Sequence, residues 1–332
     1  MKEALFYELI DKEKKIIKCL LCPKECVINE GKVGFCRVRK NIEGKLYSLI
    51  YAKTSSVSFD PIEKKPLYHF LPGSSVLSLG TVGCNFSCSF CQNWQISQAN
   101  VEDFSLDIIS PEKAVNLALQ NSSPGIAYTY SEPLIWYEYI LDTAKLAKKN
   151  KIKNILVTNG FINKEPLVQL LPYVDAMNID LKSFRDSFYQ KYCKGNLSSV
   201  LNTIELAKKY CHVEITNLII PGLNDSDEEI KEMTDWISSL DPKIPLHFSR
   251  YFPCYQMKIP ATPISTLYKA RDIAQKKLKY VYIGNIMDVN ANSTYCSQCN
   301  KVLIKRTGYS VITSGLDDQG NCVYCGEKVA RI

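Results

Sequence analysis

Gly83-Cys84-Asn85-Phe86-Ser87-Cys88-Ser89-Phe90-Cys91-Gln92 is the stretch that decides the fold. Its cysteines are spaced Cys-x3-Cys-x2-Cys, with the aromatic Phe90 directly before the last. Three thiols in one loop can occupy three metal positions and leave a fourth open. Structural zinc sites and ordinary electron-transfer clusters are closed by four protein ligands, whereas an open position is what a reacting ligand needs. Cys193 is the next cysteine in the chain, so a fourth ligand would have to come from elsewhere. Just upstream, Val76–Gly80 reads as a short buried strand, which places the loop at a strand's C-terminal end. Parallel αβ barrels carry their active sites at that face. The competing reading is a zinc site with a distant fourth ligand, or unrelated core thiols.

Outward from the loop, apolar β-rich runs alternate with helical stretches. Strands are expected at Gly125–Tyr130, Asn154–Thr158, Ala176–Leu181, His212–Ile219, Pro245–Tyr251 and Tyr280–Gly284. Helices are expected near Pro111–Leu119, Leu134–Lys149, Glu165–Leu171, Val200–Lys209, Asp227–Leu240 and Ile264–Lys276. Ser110-Pro111 and Ser226 carry helix-start signals. Strands that are apolar throughout and separated by helices imply a parallel sheet covered on its outer face. With Val76–Gly80 there are seven, which suits an open or partial (β/α) barrel better than a closed eight-fold one.

The 332-residue chain holds 14 cysteines, and eleven of them fall into three clusters. Besides the central three there are Cys19, Cys22, Cys26 and Cys36, and then Cys296, Cys299, Cys322 and Cys325. The opening residues carry no charged-then-apolar signal pattern, so a cytoplasmic location is expected. Thiols there stay reduced, which points to metal or redox chemistry and away from disulfides. The expected division is a four-cysteine metal-binding segment at 1–45, a partial α/β barrel at 46–290 and a small cysteine module at 291–332. Hydrophobic residues at 46%, charged residues at 23% and a net charge of +7 are ordinary for a globular protein. They argue against disorder. The mild charge and the lack of an aromatic–basic stripe argue against nucleic acid, and no apolar run is long enough to span a bilayer.

The loop Cys84–Cys91 resembles the signature of the radical S-adenosylmethionine (SAM) enzymes. The resemblance implies a partial (β/α)6-type barrel. It also implies a [4Fe-4S] cluster on Cys84, Cys88 and Cys91, with SAM chelating the fourth iron and being cleaved to a 5′-deoxyadenosyl radical that abstracts hydrogen. Tyr130-Ser131-Glu132-Pro133 stands where the family has Gly-Gly-Glu-Pro, a segment that faces the SAM amino group, with both glycines replaced. Val157-Thr158-Asn159-Gly160 and Ile179-Asp180-Leu181-Lys182 resemble segments of the glycyl-radical-enzyme activases, the pyruvate formate-lyase activating branch. Phe90, Ser131, Glu132, Asn159, Asp180 and Lys182 are thereby expected at the cofactor, with Lys182 supplying a cation for the SAM carboxylate. Val157 replaces that branch's aspartate, and Tyr251-Phe252 replaces its Tyr-His pair, leaving His247 either as a stand-in or as a packed strand histidine. Over the whole chain the sequence resembles the radical SAM component of the AmmeMemoRadiSam gene system. A reductant such as ferredoxin or flavodoxin and a protein or other substrate follow as expected partners. The competing function is a non-catalytic electron-transfer or scaffold protein.

The two four-cysteine sets read differently. Cys296-x2-Cys299 and Cys322-x2-Cys325 have spacing close to that of zinc ribbons, and four thiolates favour zinc or a single iron. Zinc is the expectation, with iron as the alternative. The spacing of Cys19, Cys22, Cys26 and Cys36 is neither a typical ribbon nor a standard ferredoxin run, which leaves zinc and an auxiliary iron–sulfur cluster both open. Cys193, Cys211 and Cys254 stand alone and read as packed or loop thiols.

Overall fold

The computed structural model describes residues 1–332. Its centre is an eight-stranded sheet whose strands lie in chain order. These are β1 (Ser56–Pro61), β2 (Ser75–Gly80), β3 (Gly125–Tyr128), β4 (Lys153–Thr158), β5 (Ala176–Asp180), β6 (His212–Ile219), β7 (Leu246–Arg250) and β8 (Val281–Gly284). β1 and β2 pair antiparallel, and β2 through β8 are parallel throughout. β1 and β8 do not pair with each other, so the sheet is an open barrel wall.

The parallel strands are buried along nearly their whole length, because helices cover the outside and side chains fill the inside. The covering helices are α1 (Pro111–Gln120), α2 (Tyr137–Lys149), α3 (Lys164–Leu170), α4 (Leu197–Ala207), α5 (Asp227–Leu240) and α6 (Ile264–Ala274). Ser110 Oγ accepts from Lys113 N at 3.2 Å, and Ser226 Oγ accepts from Glu229 N at 3.2 Å. Both serines thus satisfy amide donors that the first helical turn leaves orphaned. One expected helix differs at its start: Pro133–Trp136 is a tighter 3-10 turn ahead of α2. Proline there lacks an amide hydrogen, and the Glu132 carboxylate accepts from Leu134 N at 2.9 Å to cap the turn.

The amino ends of the strands form the barrel floor. Glu214, near the start of β6, is fully buried and gathers all three histidines of the chain. One carboxylate oxygen accepts from His247 Nε2 at 2.6 Å and Tyr68 N at 3.0 Å; the other accepts from His212 Nε2 at 2.9 Å and His69 N at 2.7 Å. Burial opposes charge on Glu214, but these donors outweigh it and hold the carboxyl well below its usual range. His247 therefore belongs to the floor and cannot stand in at the strands' carboxyl ends.

The C-terminal segment seals this floor from below. Arg306 is buried, pairs with Glu63 at 3.4 Å, donates to Tyr68 O at 2.7 Å and lies over the Tyr68 ring. Arg331 N donates to His69 O at 2.8 Å. At the N-terminus, two small antiparallel sheets (Tyr7–Asp11, Ile16–Cys19, Val27–Ile28; and Lys2–Glu3, Lys45–Ser48, Arg39–Ile42) pack onto the main core. No helix is long and apolar enough to cross a membrane.

Candidate active site

Adjacent parallel strands deliver their carboxyl ends to one rim. Tyr128 lies beside Leu79 and Leu156, and Thr158 beside Ile179, so the segments after β2, β3, β4 and β5 emerge next to one another. These segments carry Cys84–Cys91, Ser131-Glu132, Asn159 and Asp180–Lys182 in that order. Residues far apart in sequence meet because each strand ends at the same height.

The cysteine loop is pinned from behind. Ser87 N donates to Cys193 O and Ser89 N to Tyr192 O, each at 3.0 Å. Tyr189–Cys193 forms a π-helical turn, a rare conformation that recurs at functional sites. Cys193 and Lys182 act on the Cys88 thiol and lower its pKa despite burial. Burial pushes the Cys84 and Cys91 thiols upward. From the other side, Cys254 Sγ donates to Cys91 O at 3.5 Å and Gln256 N to Ser89 O at 3.0 Å. Tyr255 stacks on Trp94 at 5.1 Å between ring centres. Cys254, read as a loop thiol, lies against the cysteine loop.

Glu132 is fully buried but well satisfied. It accepts from Leu134 N at 2.9 Å, Thr158 Oγ1 at 2.6 Å and Asn159 N at 2.8 Å. Burial raises its pKa to about 7, with those donors pulling the other way. Its shown role is to fix the β4 terminus. Asn159 then donates through Nδ2 to Asn85 Oδ1 at 2.8 Å and to Cys84 Sγ at 3.7 Å. A chain of contacts thus runs from Glu132 to the first cysteine. Asn85 and Thr158 are its unforeseen members: both lie in stretches singled out by sequence, but their roles come from the partners they meet.

Tyr130 stands where the resemblance expects glycine, and its backbone is left-handed, with φ of +72°. A non-glycine residue pays for that conformation. Here the ring is held in place: its hydroxyl donates to Asp60, Lys65 Nζ lies 4.4 Å over it, and Asn93 Nδ2 donates to its carbonyl at 2.7 Å. The β1 strand therefore supports a turn that glycine would otherwise make.

Lys182 Nζ pairs with Asp180 Oδ2 at 2.8 Å and lies 5.9 Å from the Phe90 ring centre. Burial opposes its charge, but Asp180 and the neighbouring thiols of Cys88 and Cys193 hold its pKa well above the usual value. Its position is set by Tyr189, whose hydroxyl accepts from Lys182 N at 2.9 Å, and by Asn224, which donates to Lys182 O at 2.6 Å. Asn224 belongs to the Ile219–Asp225 turn after β6.

Three features fit an iron–sulfur cluster with an added polar ligand. The donor set is three soft thiols on one loop. The Oγ atoms of Ser89 and Ser131 are buried without a hydrogen-bond partner. A cation, Lys182, stands beside the loop.

The C-terminal set has another geometry. The sulfurs of Cys296, Cys299, Cys322 and Cys325 all lie within 4.8 Å of one another. Cys296 and Cys325 are 3.5 Å apart, and Cys299 and Cys322 are 3.7 Å apart. A tetrahedral ion with metal–sulfur bonds of about 2.3 Å spaces its sulfurs by about 3.8 Å, so these four can hold one metal ion.

Comparison with known proteins agrees with this geometry. The family model for the radical SAM superfamily matches residues 78–237. An uncharacterised protein of Methanocaldococcus jannaschii is 46% identical over 99% of both chains. Pyruvate formate-lyase 1-activating enzyme of Escherichia coli strain K12 is 28% identical over 46% of this chain and 65% of its own length. Among solved structures, Streptococcus suis SuiB bound to S-adenosylmethionine superposes with a TM-score of 0.52 at 13% identity, covering 67% of this chain and 55% of that one.

Proposed function

The chain belongs to the radical SAM superfamily, and from that premise we propose that it generates a substrate radical at the open mouth of its barrel, with a protein as the substrate. A [4Fe-4S] cluster on Cys84, Cys88 and Cys91 would supply, when bound with SAM, reductive cleavage to a 5′-deoxyadenosyl radical. The observation that carries this reading is the trio of thiols on one rim loop beside Lys182 and the unpartnered Ser131 hydroxyl. A simple electron carrier needs neither a free corner nor a cation beside it.

The chain's own residues do the positioning. Lys182, with its charge held by Asp180, attracts a carboxylate to the loop through a charge-assisted contact. Ser131 offers an oxygen to an ammonium from the turn that Tyr130 braces. Glu132 keeps the ends of β3 and β4 in register, and Asn159 orients Cys84. Phe90 covers the loop beside Lys182 and limits water there.

The protein-substrate part of the reading is supported by the kinship with an enzyme named as an activator of pyruvate formate-lyase. An external one-electron reductant of the ferredoxin or flavodoxin class is required. The test is anaerobic reconstitution followed by SAM and dithionite. Formation of 5′-deoxyadenosine is expected, and mass spectrometry of candidate partner proteins after turnover identifies the substrate. A fully loaded cluster that yields no 5′-deoxyadenosine would favour the electron-carrier reading.

A further inference from the structure

The N-terminal cysteines gather around one pocket. Cys19 ends a short strand, Cys22 and Cys26 lie in the turn after it, and Cys36 follows a second turn. All four line one small pocket, whose other walls include Leu21, Ile28, Phe35 and Ile135. Cys19, Cys22 and Cys36 are buried. The cavity has reduced thiols on several sides and apolar walls between them, which is a receptacle for a neutralised metal–sulfur group.

The spacing of the sulfurs discriminates between occupants. In the C-terminal set all four fall within 4.8 Å, as one tetrahedral ion requires. The N-terminal sulfurs do not converge in this way, and neither do those of Cys84, Cys88 and Cys91. The same molecule thus contains one set at single-ion spacing and two sets that are not. A [4Fe–4S] cluster binds each of its thiolates through a different iron, so the ligands stand off around a multi-atom core.

A second observation points to an anionic metal–thiolate group in the same place. Arg39 lines the cavity and is almost fully buried, at 1% exposure. One terminal nitrogen is bound to Glu138 and to Leu5 O, but Nε and Nη1 have no partner. Buried, unpaired guanidinium donors are costly and call for an acceptor. Sulfur atoms of an anionic thiolate-ligated group would meet them. Gly34 keeps the wall open: a Cβ there would lie 3.2 Å from Ile28 and 3.6 Å from Cys26 Sγ.

We propose that Cys19, Cys22, Cys26 and Cys36 are the four ligands of a second iron–sulfur cluster of the polynuclear, fully protein-ligated kind, and that they do not bind zinc. This site shares a wall with the rim loop. Asn85, next to Cys84, lines the cavity, and Cys36 O lies 2.6 Å from where a Cβ on Gly83 would be.

The test uses the full chain, reconstituted anaerobically, with iron, acid-labile sulfide and zinc measured. About eight irons and about eight sulfides are expected, as for two [4Fe–4S] clusters. The Cys84→Ala/Cys88→Ala/Cys91→Ala triple variant should keep half of each, with a reduced-state EPR signal that SAM leaves unchanged. This arm does not depend on whether the rim loop performs SAM chemistry. Absence of acid-labile sulfide from the triple variant overturns the proposal. If that variant does not fold, wild-type Mössbauer spectra decide: two cluster populations, one of them blind to SAM, support it, and a single SAM-responsive population overturns it.

Discussion

Cys88 and Cys193 are neighbours in space with opposite expected roles. Cys88 belongs to the rim loop, whereas Cys193 lies behind it on the π-helical turn, its carbonyl accepting from Ser87 N. Cys88→Ala should abolish SAM cleavage and remove about four irons while the chain stays soluble. Cys193→Ser should keep the iron, because the backbone contact that pins the loop does not depend on its side chain. Iron loss in Cys193→Ser would make it a ligand. Lys182→Ala should weaken SAM binding about tenfold, the size of one lost charge-assisted contact, without lowering the iron content. Unchanged affinity would remove Lys182 from the cofactor. At this scale the cysteines were legible from spacing alone. Asn85 and Thr158 were not, since their importance comes from which backbone they meet.

At the scale of elements, the rim loop and the N-terminal segment are locked at Gly83. Its φ is +88°, and a Cβ would fall 2.6 Å from both Cys36 O and Val38 Cγ1. Gly83→Ala should cost about 2–4 kcal/mol, combining a left-handed alanine with a backbone clash, read as a lowered denaturation midpoint with reduced iron loading. An unaltered midpoint would mean the two segments move independently. On the barrel floor, His69 joins the C-terminal segment to the sheet. Nδ1 donates to Val329 O at 2.8 Å, which leaves Nε2 to accept from the Tyr282 hydroxyl at 2.6 Å. Burial lowers its pKa to about 4. The unfolded chain therefore binds a proton below pH 6.5 that the folded chain refuses, so stability falls as pH drops from 6.5 to 4. The loss is at most about 3 kcal/mol. Glu132, raised to about 7 by burial, slopes the other way in the metal-free chain. Comparing wild type with His69→Asn cancels that contribution, and the acid-side difference between the two should shrink toward pH 4. Parallel pH profiles would show that His69 does not titrate in this window.

For the whole molecule, the two ends of the barrel do different work. The rim carries the loops after β2 to β5, while the floor is closed by Glu214, the histidines and the C-terminal segment with its four-cysteine set. Cys322→Ala should lower thermal stability, because metal binding supplies much of a small module's folding free energy. SAM cleavage per folded molecule should stay near the wild-type level. A variant with full stability and lost activity would assign the module to electron transfer. The sequence by itself determined the seven parallel strands, their covering helices and the three cysteine clusters. Those signals are local: apolar runs, capping serines and ligand spacing along one segment. Only the tertiary structure decided that His247 faces the floor, that Tyr130 holds a left-handed turn on Asp60 and Lys65, and that the C-terminal sulfurs converge at single-ion spacing. Each of these depends on strand register and on packing between distant segments, and no periodicity along the chain encodes the distance between side chains that meet across a barrel.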